Sequence, residues 1–196
     1  IDSSDEWIQE RSGIISRRYA APDESVVDMA EKAARDAIAN AGIDLAEIDT
    51  VLVATVTHPL QTPAAAPILA DRLGLRCAAF DISAACAGYC YAIGIASDLV
   101  RGGTATNVLI VGVEKLSDWT DFTDRGSAFI FGDGAGAAIV GRSDRAGIGP
   151  TIWGSEGNEW QAIMQRESWM EFKDNPGDRE FPALTMQGQK VFRWAV

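Results

Sequence analysis

The sequence predicts an α/β fold in which a mostly parallel sheet is covered by helices on both faces. Short apolar, β-branched runs alternate along the chain with segments of helical periodicity. Glycines follow the helical segments, where they can adopt the left-handed conformation that ends a helix. Such alternation is typical of parallel sheets, because parallel strands need a crossover between them, usually a helix.

The first two helices flank a buried strand. Asp23–Ala41 has apolar residues at helical spacing, with Asp23 as the expected N-cap and Gly42 as the stop. Ile48–Val56 is a β-branched run and predicts a strand buried on both faces. A second helix is predicted over Pro63–Leu73, again followed by a glycine.

The pattern then repeats. Cys77–Ser83 predicts a second strand, and Cys86–Arg101 a third helix that two glycines close. Asn107–Lys115 and Ala135–Arg142 are the third and fourth apolar strand segments. Further on, residues 147–182 are rich in Gly, Pro, Trp and mixed charge and predict an irregular insertion or lid, before a helix begins near Met186.

Composition excludes several classes of protein. Lys and Arg total 17 and Asp and Glu total 28, for a net charge of −11, which argues against a general nucleic-acid binder. No apolar run reaches the roughly 18 residues of a membrane helix, so no membrane partner is expected. The acidic N-terminal stretch has no signal-peptide core. Three cysteines without a paired framework predict a reducing, cytoplasmic setting.

Cys86 is the candidate nucleophile, because it lies where a strand turns into a helix. A thiol at a helix N-terminus is close to unpaired backbone N–H groups, which stabilise negative charge. Its neighbours in "SAACAG" are small, so a substrate carbonyl can approach. The residues alone leave open the alternative that Cys86 is a small buried hydrophobe.

The other cysteines are expected to be structural. Cys90 lies one helical turn beyond Cys86 and is predicted to pack in the core. A metal pair would need further ligands, and the only histidine is His58, which we interpret as structural or pocket-lining. Cys77 opens a strand, and no metal site is predicted.

Four ordered motifs make the chain resemble a known family. "FDISAACAGYCYAI" resembles the active-site segment of β-ketoacyl-acyl-carrier-protein synthase III, a condensing enzyme of the thiolase fold. "SSDEWIQERSGIISRRYA", "DRGSAFIFGDGAGAAIV" and "MQGQKVFRWAV" resemble further segments of that family, in the same order. The resemblance covers the whole chain and implies a layered αβαβα fold.

The resemblance also implies which parts of the family's fold the sequence contains. Residues 1–146 correspond to the N-terminal thiolase-like half without its first strand, 147–185 to an insertion or lid, and 186–196 to the start of the C-terminal half. The histidine and asparagine with which the family promotes decarboxylation have no counterpart here, so we expect the chain to be incomplete for condensation.

The family's coenzyme A contacts transfer to six positions. Trp7 and Arg125 match the pair that encloses the adenine, where an indole and a guanidinium can stack on a purine. Ser3 and Arg11 match positions where the family contacts the nucleotide, and Gly188 and Phe192 match positions along its pantetheine channel. Arg193 matches a basic residue implicated in docking the acidic carrier protein.

The acyl pocket shows one departure from some relatives. The residues matching its apolar lining are Leu116, Phe131, Leu184 and Met186. Before Pro63, some relatives have a phenylalanine that reaches the partner subunit's pocket, and this chain has Thr62. The smaller side chain predicts tolerance of primers longer or bulkier than acetyl.

The resemblance therefore implies an acyltransferase that condenses an acyl-CoA primer with malonyl-acyl-carrier protein to start fatty-acid synthesis. It implies a homodimer and no cofactor other than the coenzyme A thioester substrate. Two alternatives remain open: an acyltransferase of polyketide or secondary metabolism, and a non-catalytic partial chain that contributes a dimer surface.

Overall fold

The computed structural model describes residues 2–174, 177 and 181–195, which form two compact units. The sheet unit contains Tyr19–Lys115 and Asp133–Ile152, and the segmented unit contains Ile1–Arg18, Leu116–Gly132 and Trp153–Val196. Both units are discontinuous in sequence. The division at residues 146 and 185 stays a prediction.

The regular elements are numbered along the chain. The described helices are α1 (Asp5–Ser12), α2 (Val26–Ala41), α3 (Ala65–Arg72), α4 (Gly88–Arg101), α5 (Trp169–Asp174) and α6 (Gly188–Ala195). The described strands are β1 (Thr50–Ala54), β2 (Ala78–Ile82), β3 (Asn107–Lys115), β4 (Asp133–Gly141), β5 (Ile163–Gln165) and β6 (Leu184–Met186).

The sheet of the sheet unit has the order β2-β1-β3-β4. Strand β1 runs parallel to both of its neighbours, and β4 runs antiparallel to β3. All five residues of β1 are buried, as expected for a central strand covered on both faces. The predicted mostly parallel sheet is therefore confirmed.

The sheet is covered by a separate apolar cluster on each face. On one face, alternate residues of β1 and β3 pack with α2 and α3 around Val51, Val53 and Leu109. On the other face, Leu52 and Ile110 pack with the apolar side of α4. Complete burial of each such side chain contributes about 1.5–3 kcal/mol to stability. Because a shift of one residue would turn these side chains to the opposite face, the two clusters fix the register of the strands.

The start of α2 differs from the prediction. Ser25, not Asp23, is the N-cap: its hydroxyl accepts from the Asp28 N–H at 3.2 Å, and the Asp28 carboxylate accepts from the Ser25 N–H at 2.7 Å. This reciprocal capping box satisfies two backbone donors, which an Asp23 cap two residues earlier cannot do. Gly42 ends the helix with φ of 65°, as predicted.

The segmented unit is built from short elements. Helix α1 is capped by the Ser4 hydroxyl and ends at Gly13 in the left-handed conformation. Strands β5 and β6 pair antiparallel, and the Trp119 indole N–H donates to the Pro182 carbonyl at 3.0 Å. The region predicted as irregular therefore includes the short β5 and α5.

Candidate active site

Cys86 lies in a strained turn between β2 and α4. The turn Ala85–Ala87 is a 3₁₀ helix, and α4 begins at Gly88, two residues later than the predicted start at Cys86. Ala85 has φ of +43°, in the left-handed region that alanine rarely adopts, and such strain costs about 1–3 kcal/mol. The Cys86 side chain is exposed, so the buried alternative is wrong for the described chain.

The 3₁₀ turn uses the first two backbone donors after Cys86. The Ala87 N–H donates to the Ala84 carbonyl at 3.1 Å, and the Gly88 N–H donates to the Ala85 carbonyl. The Cys86 N–H is therefore the candidate donor to an anionic substrate oxygen. The turn thus combines an accessible thiol with a candidate donor for an oxyanion.

Small residues near Cys86 bring α4 close to the sheet. A Cβ at Gly88 would lie 3.1 Å from the Cβ of Ala54 in β1. A Cβ at Gly112 in β3 would lie 2.9 Å from the Tyr89 ring. Gly88, two residues after Cys86, therefore has a packing role, whereas the sequence analysis related the small residues around Cys86 only to substrate access.

Cys90 is exposed, which corrects the prediction that it packs in the core. It lies on the same side of α4 as the exposed Arg101, since eleven residues correspond to about three helical turns. The side of α4 that faces the sheet is formed instead by residues such as Ala92 and Ala96. Cys77 is partly buried against the α2–α3 cluster, and burial raises the pKa of its thiol.

Two acidic residues that the sequence interpretation missed hold the loop after β1. The Glu114 carboxylate accepts from the Val56 N–H at 3.0 Å, the Thr55 hydroxyl at 3.2 Å and the Thr57 hydroxyl at 2.5 Å. Burial raises the pKa of Glu114, and the hydrogen bonds from Thr57 and Val56 partly offset that effect. The Asp81 carboxylate accepts from two N–H groups at the start of α3, those of Ala65 and Ala66, each at 2.8 Å.

A sequence signal for both residues existed. Glu114 and Asp81 are acidic residues near the carboxyl ends of otherwise apolar strands, where ligand-binding loops leave a parallel sheet. His58 lies in the loop that they hold, and its Nε2 is 3.2 Å from the Pro63 carbonyl oxygen. This contact agrees with a structural role for His58. Thr62, the predicted pocket residue, is exposed in the same loop.

The segmented unit brings four predicted or neighbouring residues together as the Trp7 cluster: Trp7, Arg11, Arg125 and Phe129. The Cζ atoms of Arg11 and Arg125 lie 4.5 Å and 5.0 Å from the centroid of the Trp7 ring. The Phe129 ring meets Trp7 edge-on, with 5.4 Å between centroids. Arg125 also approaches the Asp2 carboxylate, at 4.0 Å.

The cluster is closed to a purine in this arrangement. A purine stacked between two planes needs about 7 Å between them, because each stacking contact takes about 3.5 Å. Arg125 lies closer to Trp7 than that, so it must move aside to admit an adenine. Ser3 is half-buried beside this segment, and its hydroxyl has no hydrogen-bond partner among the described residues.

The other predicted residues of the segmented unit occupy the region around β6. Leu184 and Met186 are half-buried in β6, and a Cβ at Gly188 would lie 3.7 Å from the Met186 methyl group. Leu116 follows β3 in a short 3₁₀ turn, and Phe131 is half-buried. Phe192 and Arg193 are exposed on α6.

Two searches for other kinds of site were negative. Within residues 2–174, 177 and 181–195, no group of three or more His, Cys or acidic side chains could hold a metal ion. None of the described helices combines the length and apolar character needed to cross a membrane.

Comparison with known proteins gives one family. The family model described as 3-oxoacyl-[acyl-carrier-protein (ACP)] synthase III matches residues 80–157, which include Cys86, Arg125 and Phe131. Mycobacterial β-ketoacyl-[acyl-carrier-protein] synthase III of Mycobacterium avium is 55% identical over all of this chain, and synthase III 1 of Streptomyces coelicolor is 52% identical. The chain spans 58% of the first relative and 60% of the second.

Solved structures agree. The priming β-ketosynthase of the R1128 polyketide pathway matches 99% of this chain and 58% of its own, with a TM-score of 0.94 and 47% identity. The synthase III from Thermus thermophilus matches all of this chain and 60% of its own, with a TM-score of 0.88 and 37% identity. The predicted thiolase-like α/β fold is thereby confirmed, and the sheet unit forms an α/β/α part of it. In sequence and in fold, the chain is similar to members of the β-ketoacyl-[acyl-carrier-protein] synthase III family.

Proposed function

We propose that the protein is an acyltransferase that loads the acyl group of a coenzyme A thioester onto Cys86 and condenses it with malonyl-acyl-carrier protein to start fatty-acid synthesis. The observation that carries the proposal is the exposed Cys86 in the strained 3₁₀ turn directly before α4. This turn lies within the segment that the family model matches.

Acylation of Cys86 follows from the geometry of the turn. The Cys86 sulfur attacks the thioester carbonyl, and the Cys86 backbone N–H donates to the resulting oxyanion. Collapse of the tetrahedral intermediate expels the coenzyme A thiolate and leaves an acyl-Cys86 thioester. The left-handed backbone at Ala85 turns the chain sharply before the exposed Cys86.

Condensation then uses the acyl-Cys86 thioester as the electrophile. Malonyl-acyl-carrier protein loses carbon dioxide, the resulting enolate attacks the acyl carbonyl, and the Cys86 thiolate leaves with release of β-ketoacyl-carrier protein. The only histidine of these 196 residues, His58, contacts the Pro63 carbonyl of its own loop. Among the chain's own residues, we therefore assign only Cys86, through its thiol and its backbone N–H, to the chemistry.

The segmented unit contributes substrate contacts. Trp7 and Arg125 hold the adenine after Arg125 has moved from the Trp7 ring, while Arg11 and Ser3 contact the nucleotide. Gly188 and Phe192 line the pantetheine path, and the exposed Arg193 attracts an acidic carrier protein.

The acyl chain is received by an apolar pocket. Its proposed lining consists of Leu116, Phe131, Leu184 and Met186, together with Thr62 of the partner subunit. Because Thr62 is smaller than phenylalanine, the pocket accepts primers longer or bulkier than acetyl.

The edge of the sheet supports a homodimer. Strand β2 pairs with β1 alone within the described sheet, and Phe80 on it is 43% exposed. An apolar edge strand of this kind is completed by pairing with another chain, which in a homodimer is the same strand of the partner. The free cysteines fit the cytoplasm, and beyond the thioester substrate no cofactor is needed for this chemistry.

The proposal is tested by the complete reaction of the full-length protein. Acyl-CoA and malonyl-acyl-carrier protein should give carbon dioxide and β-ketoacyl-carrier protein, and Cys86→Ala should abolish both products. Cys90→Ala is the matched control, because Cys90 is also exposed but lies outside the turn. Product formation by Cys86→Ala would contradict the proposal. A polyketide carrier would use the same acylation step, but the curated relatives, named as synthase III, do not favour that alternative.

A further inference from the structure

The loop between β1 and α3, residues Val56–Ala64, lies beside the Cys86 turn. Strands β1 and β2 are parallel neighbours, so the chain leaves both at the same end of the sheet. The Thr55 N–H donates to the Ile82 carbonyl at 3.3 Å. This bond joins the start of the loop after β1 to the end of β2, shortly before the Cys86 turn. The tip of the loop is exposed: Leu60 is 52% accessible and Thr62 is exposed.

Glu114 holds the first end of this loop. Its carboxylate lies at the carboxyl end of β3 and accepts hydrogen bonds from Thr55, Val56 and Thr57. The Thr57 hydroxyl oxygen in turn accepts from the Lys115 N–H at 2.8 Å. A half-buried carboxylate with three donors on consecutive residues fixes the direction in which the chain leaves β1, since losing this acceptor leaves those donors unpaired.

Asp81 holds the other end. It accepts from the N–H groups of Ala65 and Ala66 and so replaces the N-cap side chain that Ala64 cannot supply. Asp81 also lies on β2, five residues before Cys86. Between the two ends, His58 Nε2 contacts the Pro63 carbonyl and closes the loop across its base.

We propose that Glu114 and Asp81 are positioning residues that determine primer choice, because they hold both ends of the Val56–Ala64 loop, which carries Thr62 to the pocket of the partner subunit. The inference rests on the proposed acylation of Cys86. Neither carboxylate touches the substrate, and both act through the loop. When an anchor is lost, the loop tip samples several positions and the protein discriminates less well among acyl chain lengths.

The test measures kcat/KM of the full-length protein with acyl-CoA primers of increasing length. In Glu114→Gln the carboxamide keeps the shape of the side chain but turns an N–H₂ group towards donors. We expect the ratio of kcat/KM between the best and worst primers to fall about tenfold, mainly through KM. Asp81→Asn should act in the same direction. Glu31→Gln, which removes a surface carboxylate of the same unit, is the matched control and should leave the ratio unchanged.

Hydrogen exchange separates positioning from general stability. In Glu114→Gln, the amides of Val56–Ala64 should exchange faster while those of the α2 core stay protected. A lower melting temperature with an unchanged primer ratio would overturn the proposal. If Glu114→Gln fails to fold, Thr57→Val removes one donor to Glu114 and should lower the ratio less. If the unmodified protein formed no acyl adduct on Cys86, the proposed function itself would be overturned. If the adduct formed but both variants kept the kcat/KM ratio between the best and worst primers, only the roles of Glu114 and Asp81 would be overturned.

Discussion

Cys86 in the sheet unit and Trp7 in the segmented unit are both proposed to contact the coenzyme A thioester, yet different forces hold them. Buried strands and a strained backbone turn fix Cys86, and its position follows from the register of β1 and β2. Trp7 is held by side chains stacked at the surface, and two of them are exposed arginines. We therefore expect folding to place the proposed nucleophile in advance, and the proposed nucleotide contacts to rearrange when the substrate binds.

The largest effect is expected from disturbing the backbone around Cys86. Gly88→Val places a branched side chain where a Cβ alone would lie 3.1 Å from the Cβ of Ala54. Overpacking of this kind costs about 1–3 kcal/mol, and displacement of the turn should slow Cys86 acylation by about 100-fold or more. Stopped-flow release of coenzyme A measures the rate, and thermal unfolding measures the stability.

Gly147→Ala is the control for that change, since nothing lies within 4 Å of a Cβ at Gly147. The rate of Cys86 acylation and the thermal stability of Gly147→Ala should equal those of the unmodified protein. Normal acylation in Gly88→Val would mean that the position of Cys86 does not depend on close packing of α4.

A smaller effect is expected in the segmented unit. Trp7→Ala removes the stacking surface and should weaken coenzyme A binding about tenfold, since stacking on an aromatic side chain contributes about 1–3 kcal/mol. Acylation by a small thioester without a nucleotide should be unaffected, which separates the two regions. Calorimetry and acylation rates give the two quantities.

Trp169→Ala is the matched control, because Trp169 is also exposed in the segmented unit but stacks on Phe181, 5.7 Å away. Its coenzyme A affinity should equal that of the unmodified protein. If Trp7→Ala also kept full affinity, Trp7 would have a packing role against Phe129 alone.

Thr62→Phe tests whether the Val56–Ala64 loop of the sheet unit affects primer choice. The larger side chain should shift the preference towards shorter primers, by about tenfold in kcat/KM for the longest primer accepted. Thr104→Phe adds the same ring to an exposed turn of the same unit and should not alter the preference. An unchanged profile in Thr62→Phe would remove Thr62 from the pocket.

The smallest effect concerns stability alone. Hydrogen bonds from Ser25, together with Arg72, hold the pKa of Asp28 well below its usual value. A depressed carboxyl pKa adds stability above the unfolded pKa of about 4, and this stability is lost as pH falls through the folded value. Asp28→Asn should therefore lower the unfolding free energy by about 1 kcal/mol or less at pH 7, with a smaller difference at pH 3. Chemical denaturation at both pH values measures this, and an equal difference at both would contradict the assignment.

The apolar pattern predicted the sheet well. Strand β3 has the predicted bounds Asn107–Lys115, and Gly42 ends α2 as expected, because burial on both faces and a left-handed helix end both leave clear marks in sequence. The N-cap was misplaced because Asp23 and Ser25 are both good caps, and only the reciprocal bonds with Asp28 distinguish them.

The site was less predictable because it depends on which side of a helix faces the sheet and on contacts between residues far apart in sequence. Periodicity identified the Cys90 helix but not the side of it that faces the sheet, so Cys90 was wrongly placed in the core. Glu114 lies 57 to 59 residues from the donors that it binds, and no local pattern shows such a contact. The stacking of Arg125 on Trp7 likewise joins residues far apart in sequence.

The central claim is that the turn, and not exposure, makes Cys86 the acyl carrier. Cys86 and Cys90 are both exposed in one chain, so their acylation rates by the same acyl-CoA can be compared directly by peptide mass spectrometry over time. We predict that Cys86 is acylated at least about 100-fold faster than Cys90, as expected when donors stabilise the oxyanion. Equal rates at the two cysteines would contradict the account.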